Sequence, residues 1–368
     1  MKKIRIIACG GGTISHAIPT ITVCQSLMAI NSKIEILYVA SKNGPEIEYL
    51  KNNLKYTSIY CGKIYRYLTI RLIASAILNI VGFLQAFWIV LINRPKLVFA
   101  KGGYATFAIA INAKLFGIPV VIHESDSIIG LSNSIAAKFA KIILTGFPAE
   151  NYEKKYHNKI VFSGIPLRNE FKSPSLPRGV NVHFSPSLKT ILILGGSQGA
   201  EALTSWVAKN ILRFLDDTQI IHVCGSANYE KFKYLTHDKN IVEARNKYIL
   251  LPFVRNGLAY IMKNSTLIVS RAGATSIAEL SYLSKPAVLV PYPFASKNHQ
   301  QKNGEILVKN KACILISQSD LDEKTAEILK LLNDSDKLKD LGKNISSIMP
   351  KDSLDRIANV INDAIINN

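Results

Sequence analysis

Short apolar runs, each broken by glycine or a polar cluster, recur along the chain and predict strands at 4–9, 34–39, 97–100, 119–123, 142–145 and 160–162. A second series follows at 190–194, 220–224, 248–251, 267–269 and 287–290. Segments with helical spacing lie between them, such as 16–28, with Pro19 in its first turn, and 105–116. Strands this short and this uniformly apolar suit a parallel sheet covered on both faces. Their alternation with helices predicts an α/β fold of two Rossmann-like domains with parallel sheets facing a deep cleft. Between the two series, 172–189 holds Pro174, Pro177, Gly179 and Pro186 with several serines, and it has no apolar period. The expected division is a first domain over 1–168, a linker over 169–189, a second domain over 190–350, and a C-terminal helix over 351–368 that packs back on the first domain.

The stretch 72–92 departs from this rhythm, because it is uncharged throughout and largely apolar. Its length passes the threshold of roughly 18–20 residues for a membrane span. A strand at 97–100 follows almost at once, however, and belongs to the same sheet as 4–9. A span would put those two strands on opposite sides of a bilayer, and Asn79 and Gln85 lie inside the segment. The reading is a helix packed on the sheet whose surplus apolar residues (Ile64, Leu68, Phe83, Phe87, Trp88) reach the bilayer interface. Lys63, Arg66, Arg71, Arg94 and Lys96 flank it and suit anionic headgroups.

Composition adds two constraints. A length of 368 residues fits two domains at about 100–200 residues each. The net charge of +19, from 45 Lys and Arg against 26 Asp and Glu, favours anionic partners. The basic residues form no short run interleaved with aromatics, so a nucleic-acid groove is not indicated. Cys9, Cys24, Cys61, Cys224 and Cys313 are scattered and odd in number, without metal-ligand spacing, which suits a reducing cytosol. The N-terminus lacks the pattern of a signal peptide.

Candidate chemistry collects where predicted strands end. Gly10-Gly11-Gly12-Thr13 follows the first strand, without the Gly-x-Gly-x-x-Gly spacing of a dinucleotide site. His123-Glu124-Ser125-Asp126 ends another strand, where open α/β sheets place their ligands. After 267–269 comes Gly273, then Thr275 or Ser276 as a helix cap, with Ser276-x-x-Glu279 at capping-box spacing. Such a helix start offers free N–H groups to a phosphate. Glu279 either completes the cap or holds a sugar's hydroxyls. Asp320-Leu321-Asp322 and Asp334-Ser335-Asp336 lie in a polar helical tail and read as solvated surface rather than a metal site.

Taken in order, Gly11-Gly12-Thr13 with His16, Gly102-Gly103-Tyr104, His123-Glu124, Gly130-Leu131-Ser132-Asn133, Gly164 to Arg168, Gly195-Gly196-Ser197-Gln198-Gly199-Ala200, Ser270-Arg271-Ala272-Gly273-Ala274, Glu279 and Asn298-His299-Gln300 resemble the MurG family of peptidoglycan N-acetylglucosaminyltransferases. The resemblance covers nearly the whole chain. It implies a GT-B fold and inverting transfer of N-acetylglucosamine from UDP-N-acetylglucosamine to the C4 hydroxyl of a lipid-linked N-acetylmuramyl-pentapeptide (lipid I to lipid II). Donor-side residues would be Thr13, Ile14, Ser15, Arg168, Ser197, Val254, Ala274, Thr275, Ser276, Glu279 and Gln300, with Gln301 a stand-in for Gln300. Tyr104 and Asp126 would face the acceptor, together with Thr13 and His16. His16 would be the general base, with Asp126 as a second candidate. Helix N-terminal amides and Ser197 would stabilise the departing UDP without a metal or other cofactor. The implied place is peripheral, on the cytoplasmic face of the inner membrane, with Phe83, Phe87 and Trp88 at the lipid and with other cell-wall synthesis proteins as partners.

Two departures stand out. The family's first loop reads Gly-Gly-Thr-Gly-Gly-His, and Ile14 and Ser15 replace its two later glycines here. A β-branched Ile disfavours positive φ, so either Gly10 shifts the turn or the loop has another shape. The family's His-Glu-Gln-Asn is His123-Glu124-Ser125-Asp126, which places a carboxylate beside a diphosphate acceptor. The alternatives are a transferase with a different lipid acceptor, a UDP-sugar epimerase of related fold, and a catalytically weak UDP-sugar-binding membrane module.

Overall fold

The protein is represented by a computed structural model that describes residues 3–12, 14–62, 70–177, 179, 181–196, 199–237 and 247–366. The chain divides into two units, residues 1–168 with 351–368, and residues 169–350.

In the first unit, strands β1 (Ile4–Cys9), β2 (Ile34–Ser41), β3 (Tyr56–Ile59), β4 (Leu97–Ala100), β5 (Val120–Glu124), β6 (Ile142–Thr145) and β7 (Ile160–Phe162) alternate with helices α1 (Ile14–Ile30), α2 (Glu46–Leu50), α3 (Ile70–Asn93), α4 (Tyr104–Leu115) and α5 (Leu131–Ala137). All strand pairs are parallel, in the order β3-β2-β1-β4-β5-β6-β7. The chain steps outward from β1 to β3, then returns to β4 on the other side of β1. That reversal is a topological switch point, and ligands of open α/β sheets bind beyond it.

The second unit repeats the plan with β8 (Lys189–Leu194), α6 (Glu201–Leu215), β9 (Thr218–Val223), α7 (Ser226–Phe232), β10 (Tyr248–Leu251), α8 (Leu258–Asn264), β11 (Leu267–Ser270), α9 (Ala274–Leu283), β12 (Ala287–Leu289), α10 (His299–Lys309), β13 (Ile314–Leu315), α11 (Thr325–Asn333) and α12 (Ser335–Ile345). Its parallel order is β10-β9-β8-β11-β12-β13, with the switch point between β8 and β11. The last helix, α13 (Ser353–Ile366), belongs to the first unit. It buries Leu354, Ile357, Ala358 and Ile361 in one core with Ile21, Cys24 and Leu27 of α1.

The apolar runs became central strands because both faces of each sheet are covered: β4, β5 and β11 are buried at every residue. The edge strands β3 and β13 carried no such signal. Tyr56-Thr57-Ser58-Ile59 is half polar, and β13 has only two residues. The boundary between units falls at Arg168, and 169–188 stays with the second unit. There Phe171 is buried, and the Glu170 carboxylate accepts the Gly257 N–H at 2.8 Å.

Helix α3 packs mainly against α4, where Asn112 Nδ2 donates to the Phe83 carbonyl at 3.2 Å, and meets the first sheet at its edge strand β3. Asn79 accepts the Gly62 N–H and Gln85 accepts the Tyr60 N–H, both at 2.9 Å, so these two polar residues tie it to the loop after β3. The strand after α3 pairs with β1, with Ile6 opposite Leu97. Ala86 and Val90 face inward, while Ile73, Ile77, Ile80, Leu84 and Trp88 are exposed.

Candidate functional site

The glycine loops of the first unit meet beyond the ends of β1 and β4. A Cβ at Gly103 would lie 2.0 Å from the Gly11 carbonyl oxygen, so only glycine permits this approach. The loop's left-handed residue is Gly12, at φ +87°. Ile14 and Ser15 already belong to α1, whose first turn requires no positive φ. The β-branched Ile14 is therefore no obstacle to this helix start. Because α1 starts at Ile14, Pro19 falls in its second turn rather than the first, where it removes one donor from the ladder. The Glu46 carboxylate sits beneath the loop, fully buried, and accepts the Ser41 N–H at 2.9 Å and the Gly12 N–H at 3.4 Å.

His16 and Tyr104 converge on the same glycines. A Cβ at Gly102 would be 3.6 Å from His16 Cε1 and 3.7 Å from Asn133 Nδ2, and one at Gly12 would be 3.3 Å from the Tyr104 ring. Helix α1 carries His16, and Tyr104 opens α4. Behind them lies a buried polar cluster. Glu124 accepts from Gly130 N–H (2.8 Å), Asn133 Nδ2 (3.0 Å) and Asp126 N–H (3.1 Å). Burial raises its carboxyl pKa, as does the nearby Asp126, and the three donors oppose that rise. His123 Nε2 donates to the Gly164 carbonyl at 2.9 Å, which leaves Nδ1 to accept from Lys101 Nζ at 2.9 Å. Lys101 also donates to Ser125 Oγ. Asp126 is half-buried, and its carbonyl accepts the Tyr152 hydroxyl at 2.9 Å. Asn133 Oδ1 is a buried acceptor without a partner among the described residues.

In the second unit, the helix start after β11 is built differently from the capping-box expectation. Helix α9 begins at Ala274 with Gly273 as its N-cap, so Ser276 lies inside the first turn and caps nothing. The first bond of the ladder runs from Ile277 N–H to Gly273 O at 3.0 Å. The amides of Ala274, Thr275 and Ser276 therefore point out of the helix start, where the macrodipole favours an anion. A Cβ at Gly273 would meet open space, as would one at Gly196 (φ +76°) in the loop after β8. Glu279 lies one and a half turns into α9 and is buried, too far along to serve as a cap. Val254 is buried in the loop after β10. Gln300 sits in the first turn of α10, where its side-chain oxygen accepts the Tyr292 N–H at 2.9 Å, and Gln301 donates to Glu305 at 3.0 Å.

Arg271 entered the sequence reasoning only as part of the Ser270 to Ala274 motif, with no role of its own, although its place just after β11 is the signal. Its guanidinium donates to the carbonyls of Val290 (3.2 Å) and Pro291 (3.3 Å) and to Gln318 Oε1 (2.7 Å), joining the ends of three strands. Thr13 and Ser197, like Gln198, lie outside the described residues, as do Lys63, Ile64, Arg66 and Leu68. Arg168 ends the first stretch of the first unit and is half-buried. Asp322 receives Lys209 (2.7 Å) and Asn210 (3.0 Å), and Asp334 caps α12, so both serve the local surface. Trp88 is exposed on α3, whereas Phe83 and Phe87 are half-buried, Phe87 against Phe116 with ring centroids 5.1 Å apart.

Comparison with known proteins gives one consistent result. Residues 6–145 match the glycosyltransferase family 28 N-terminal domain, and residues 190–356 match the glycosyltransferase family 28 C-terminal domain. A UDP-N-acetylglucosamine–N-acetylmuramyl-(pentapeptide) pyrophosphoryl-undecaprenol N-acetylglucosamine transferase of Desulforamulus reducens is 31% identical, over 96% of this chain and 97% of its own. One of the same name from Clostridium perfringens is 32% identical, over 99% and 98%. Among solved structures, Acinetobacter baumannii MurG superposes with a TM-score of 0.75 at 23% identity, over 98% of this chain and 99% of its own. A UDP-N-acetylglucosamine 2-epimerase from Listeria monocytogenes reaches 0.68 at 14% identity, over 100% and 98%. Both structural likenesses show the fold, a GT-B pair of Rossmann-like units.

Proposed function

The chain belongs to the family of UDP-N-acetylglucosamine–N-acetylmuramyl-(pentapeptide) pyrophosphoryl-undecaprenol N-acetylglucosamine transferases, built from glycosyltransferase family 28 domains, and on that premise we propose how its residues perform the transfer. It is a glycosyltransferase that moves N-acetylglucosamine from the UDP-sugar to the lipid-linked muramyl-pentapeptide. The acceptor's C4 hydroxyl attacks the anomeric carbon, the bond from that carbon to the diphosphate oxygen breaks, and the configuration inverts. His16 takes the hydroxyl proton; its place beside Gly102, with Tyr104 across Gly12, supports that role.

The donor side rests on one observation. An open glycine-capped helix start at Ala274, with a buried carboxylate at Glu279, offers N–H groups for a diphosphate and an acceptor for ribose hydroxyls. As UDP leaves it gains negative charge, and amides already aimed at that oxygen stabilise it without reorganising. Arg271 fixes the loops around this start by holding the ends of β12 and the segment after β13. The acceptor is lipid-linked, and the exposed face of α3, with the exposed Arg94 and Lys96 at its end, supports peripheral attachment to an anionic membrane at the cytoplasmic face.

Incubation with radiolabelled UDP-N-acetylglucosamine and a lipid I analogue tests the reading. Label in the lipid product is expected. UDP-sugar binding with no transfer to any prenyl-diphosphate sugar would overturn it and leave a membrane-bound UDP-sugar module.

A further inference from the structure

Glu46 is a carboxylate with none of its surface exposed, at the start of α2. Burial of a charged group costs heavily unless hydrogen bonds hold it. Among the described residues its bonds go to backbone N–H groups of two other loops, Ser41 at the end of β2 (2.9 Å) and, more loosely, Gly12 after β1 (3.4 Å). Glycines make its seat, since a Cβ on Gly11 or on Gly44 would collide with the carboxylate. Gly11 is thus enclosed from two sides, by Glu46 and by Gly103, which tolerates no Cβ against the Gly11 carbonyl. Tyr38, buried on β2, adds a second hold, because its hydroxyl donates to the Gly10 carbonyl. Burial raises the phenol's pKa, so it remains a donor.

These contacts reach the base assigned above. Gly10 abuts Thr20 of α1, whose hydroxyl a Cβ there would strike, and that hydroxyl donates to the His16 carbonyl at 2.8 Å. Tyr104 lies against Gly12. Three successive glycines have more conformations to lose than any other tripeptide, so Gly10-Gly11-Gly12 needs a fixed support to hold one shape. We propose that Glu46 is a positioning residue for the acceptor side: with Tyr38 it fixes the glycine loop 10–12 from beneath, and so sets His16 against Gly102 and Tyr104. Fully buried, it acts without touching substrate. All of these residues belong to the first unit, whereas the helix start at Ala274 belongs to the second, so the effect falls on acceptor binding and proton transfer and spares the donor.

This inference rests on the proposed transfer with His16 as base. The test is steady-state kinetics on the full chain, with UDP-N-acetylglucosamine and a lipid I analogue varied in turn, for wild type, Glu46→Gln, Tyr38→Phe and Leu50→Ala. Glu46→Gln keeps the shape and one accepting oxygen, and its amide nitrogen cannot accept the second N–H. It is expected to lower acceptor kcat/KM by about tenfold or more and to leave the donor KM within about twofold. Leu50 is buried in the same short helix and touches no glycine loop contact named here, so Leu50→Ala lowers the melting temperature at least as far and is expected to leave acceptor kcat/KM within about twofold. An acceptor kcat/KM in Glu46→Gln that matches wild type overturns the proposal. So does an equal loss in Leu50→Ala, or a donor KM that rises with the acceptor's, because either assigns Glu46 to the fold alone. If Glu46→Gln does not fold, Tyr38→Phe decides: a loss of about a few-fold in acceptor kcat/KM is expected, and no loss overturns the proposal. A wild type that transfers nothing overturns the underlying reading instead.

Discussion

Gly273 separates binding from stability at a single atom. It caps α9 at φ −73°, a conformation open to every residue, and a Cβ there would meet nothing. Serine is at least as good an N-cap as glycine, so Gly273→Ser should keep or raise stability by about a few tenths of a kcal/mol. The same side chain would occupy the space over the amides of Ala274 to Ser276. UDP affinity, measured by calorimetry, should fall by about tenfold while the melting temperature holds or rises. A variant that binds UDP like wild type would remove the diphosphate from this helix start. Other residues teach a different lesson about legibility. Glu279 was visible in the sequence, but its spacing from Ser276 suggested a cap that Gly273 in fact supplies. Ile14 looked like an obstacle because the loop's left-handed residue could not be located from the sequence; it is Gly12, and α1 simply starts sooner. Lys101 was invisible as chemistry, since only the three-dimensional fold encloses it beside His123 and Ser125.

At the level of elements, the pattern of short apolar runs was sufficient for most strands, because a parallel sheet covered on both faces leaves few polar positions in its centre. It failed at β3, an edge strand that is half polar, and at β13, an edge strand of only two residues. The apolar stretch that became α3 needed more than hydropathy. Its tie to the loop after β3, through Asn79 and Gln85, its packing on α4 and the return of the chain into β4 beside β1 identify a helix of the first unit's own fold. Its outer stripe at Ile73, Ile77, Ile80, Leu84 and Trp88 follows helical spacing, with exposures of 65%, 57%, 62%, 56% and 58%. Phe87 leans on Phe116 instead, so it reports folding as well as lipid contact. The informative pair is therefore Leu84→Ser with Trp88→Ser. It should abolish most flotation with anionic vesicles and leave stability within about 1 kcal/mol, as expected for two exposed positions. Flotation that persists in the double variant, or that is indifferent to the vesicles' charge, would take α3 off the membrane.

For the whole molecule, each unit contains a buried histidine that folding keeps neutral. In the first unit His123 is held well below its ordinary pKa by burial and then by the Lys101 charge. In the second, burial alone pulls His222 from 6.5 to about 3, between Thr204 (3.4 Å) and Tyr248 (3.2 Å). The sign follows from proton counting. Below pH 6.5 the unfolded chain gains a proton at each histidine and the folded chain does not. Stability is thus complete above that pH and declines as pH falls, for His222 until about pH 3. Each neutral histidine costs about 1.4 kcal/mol of stability per pH unit in that window. Trp206 is buried in the core of the second unit, so its fluorescence follows that unit's unfolding in urea. Between pH 7.5 and pH 5.5 the wild type should lose about 1.4 kcal/mol more than His222→Gln, whatever the substitution does to stability at the higher pH. Equal losses in the two proteins would mean that His222 is protonated in the folded state and that its burial between Thr204 and Tyr248 leaves the acid sensitivity of this unit to its carboxylates.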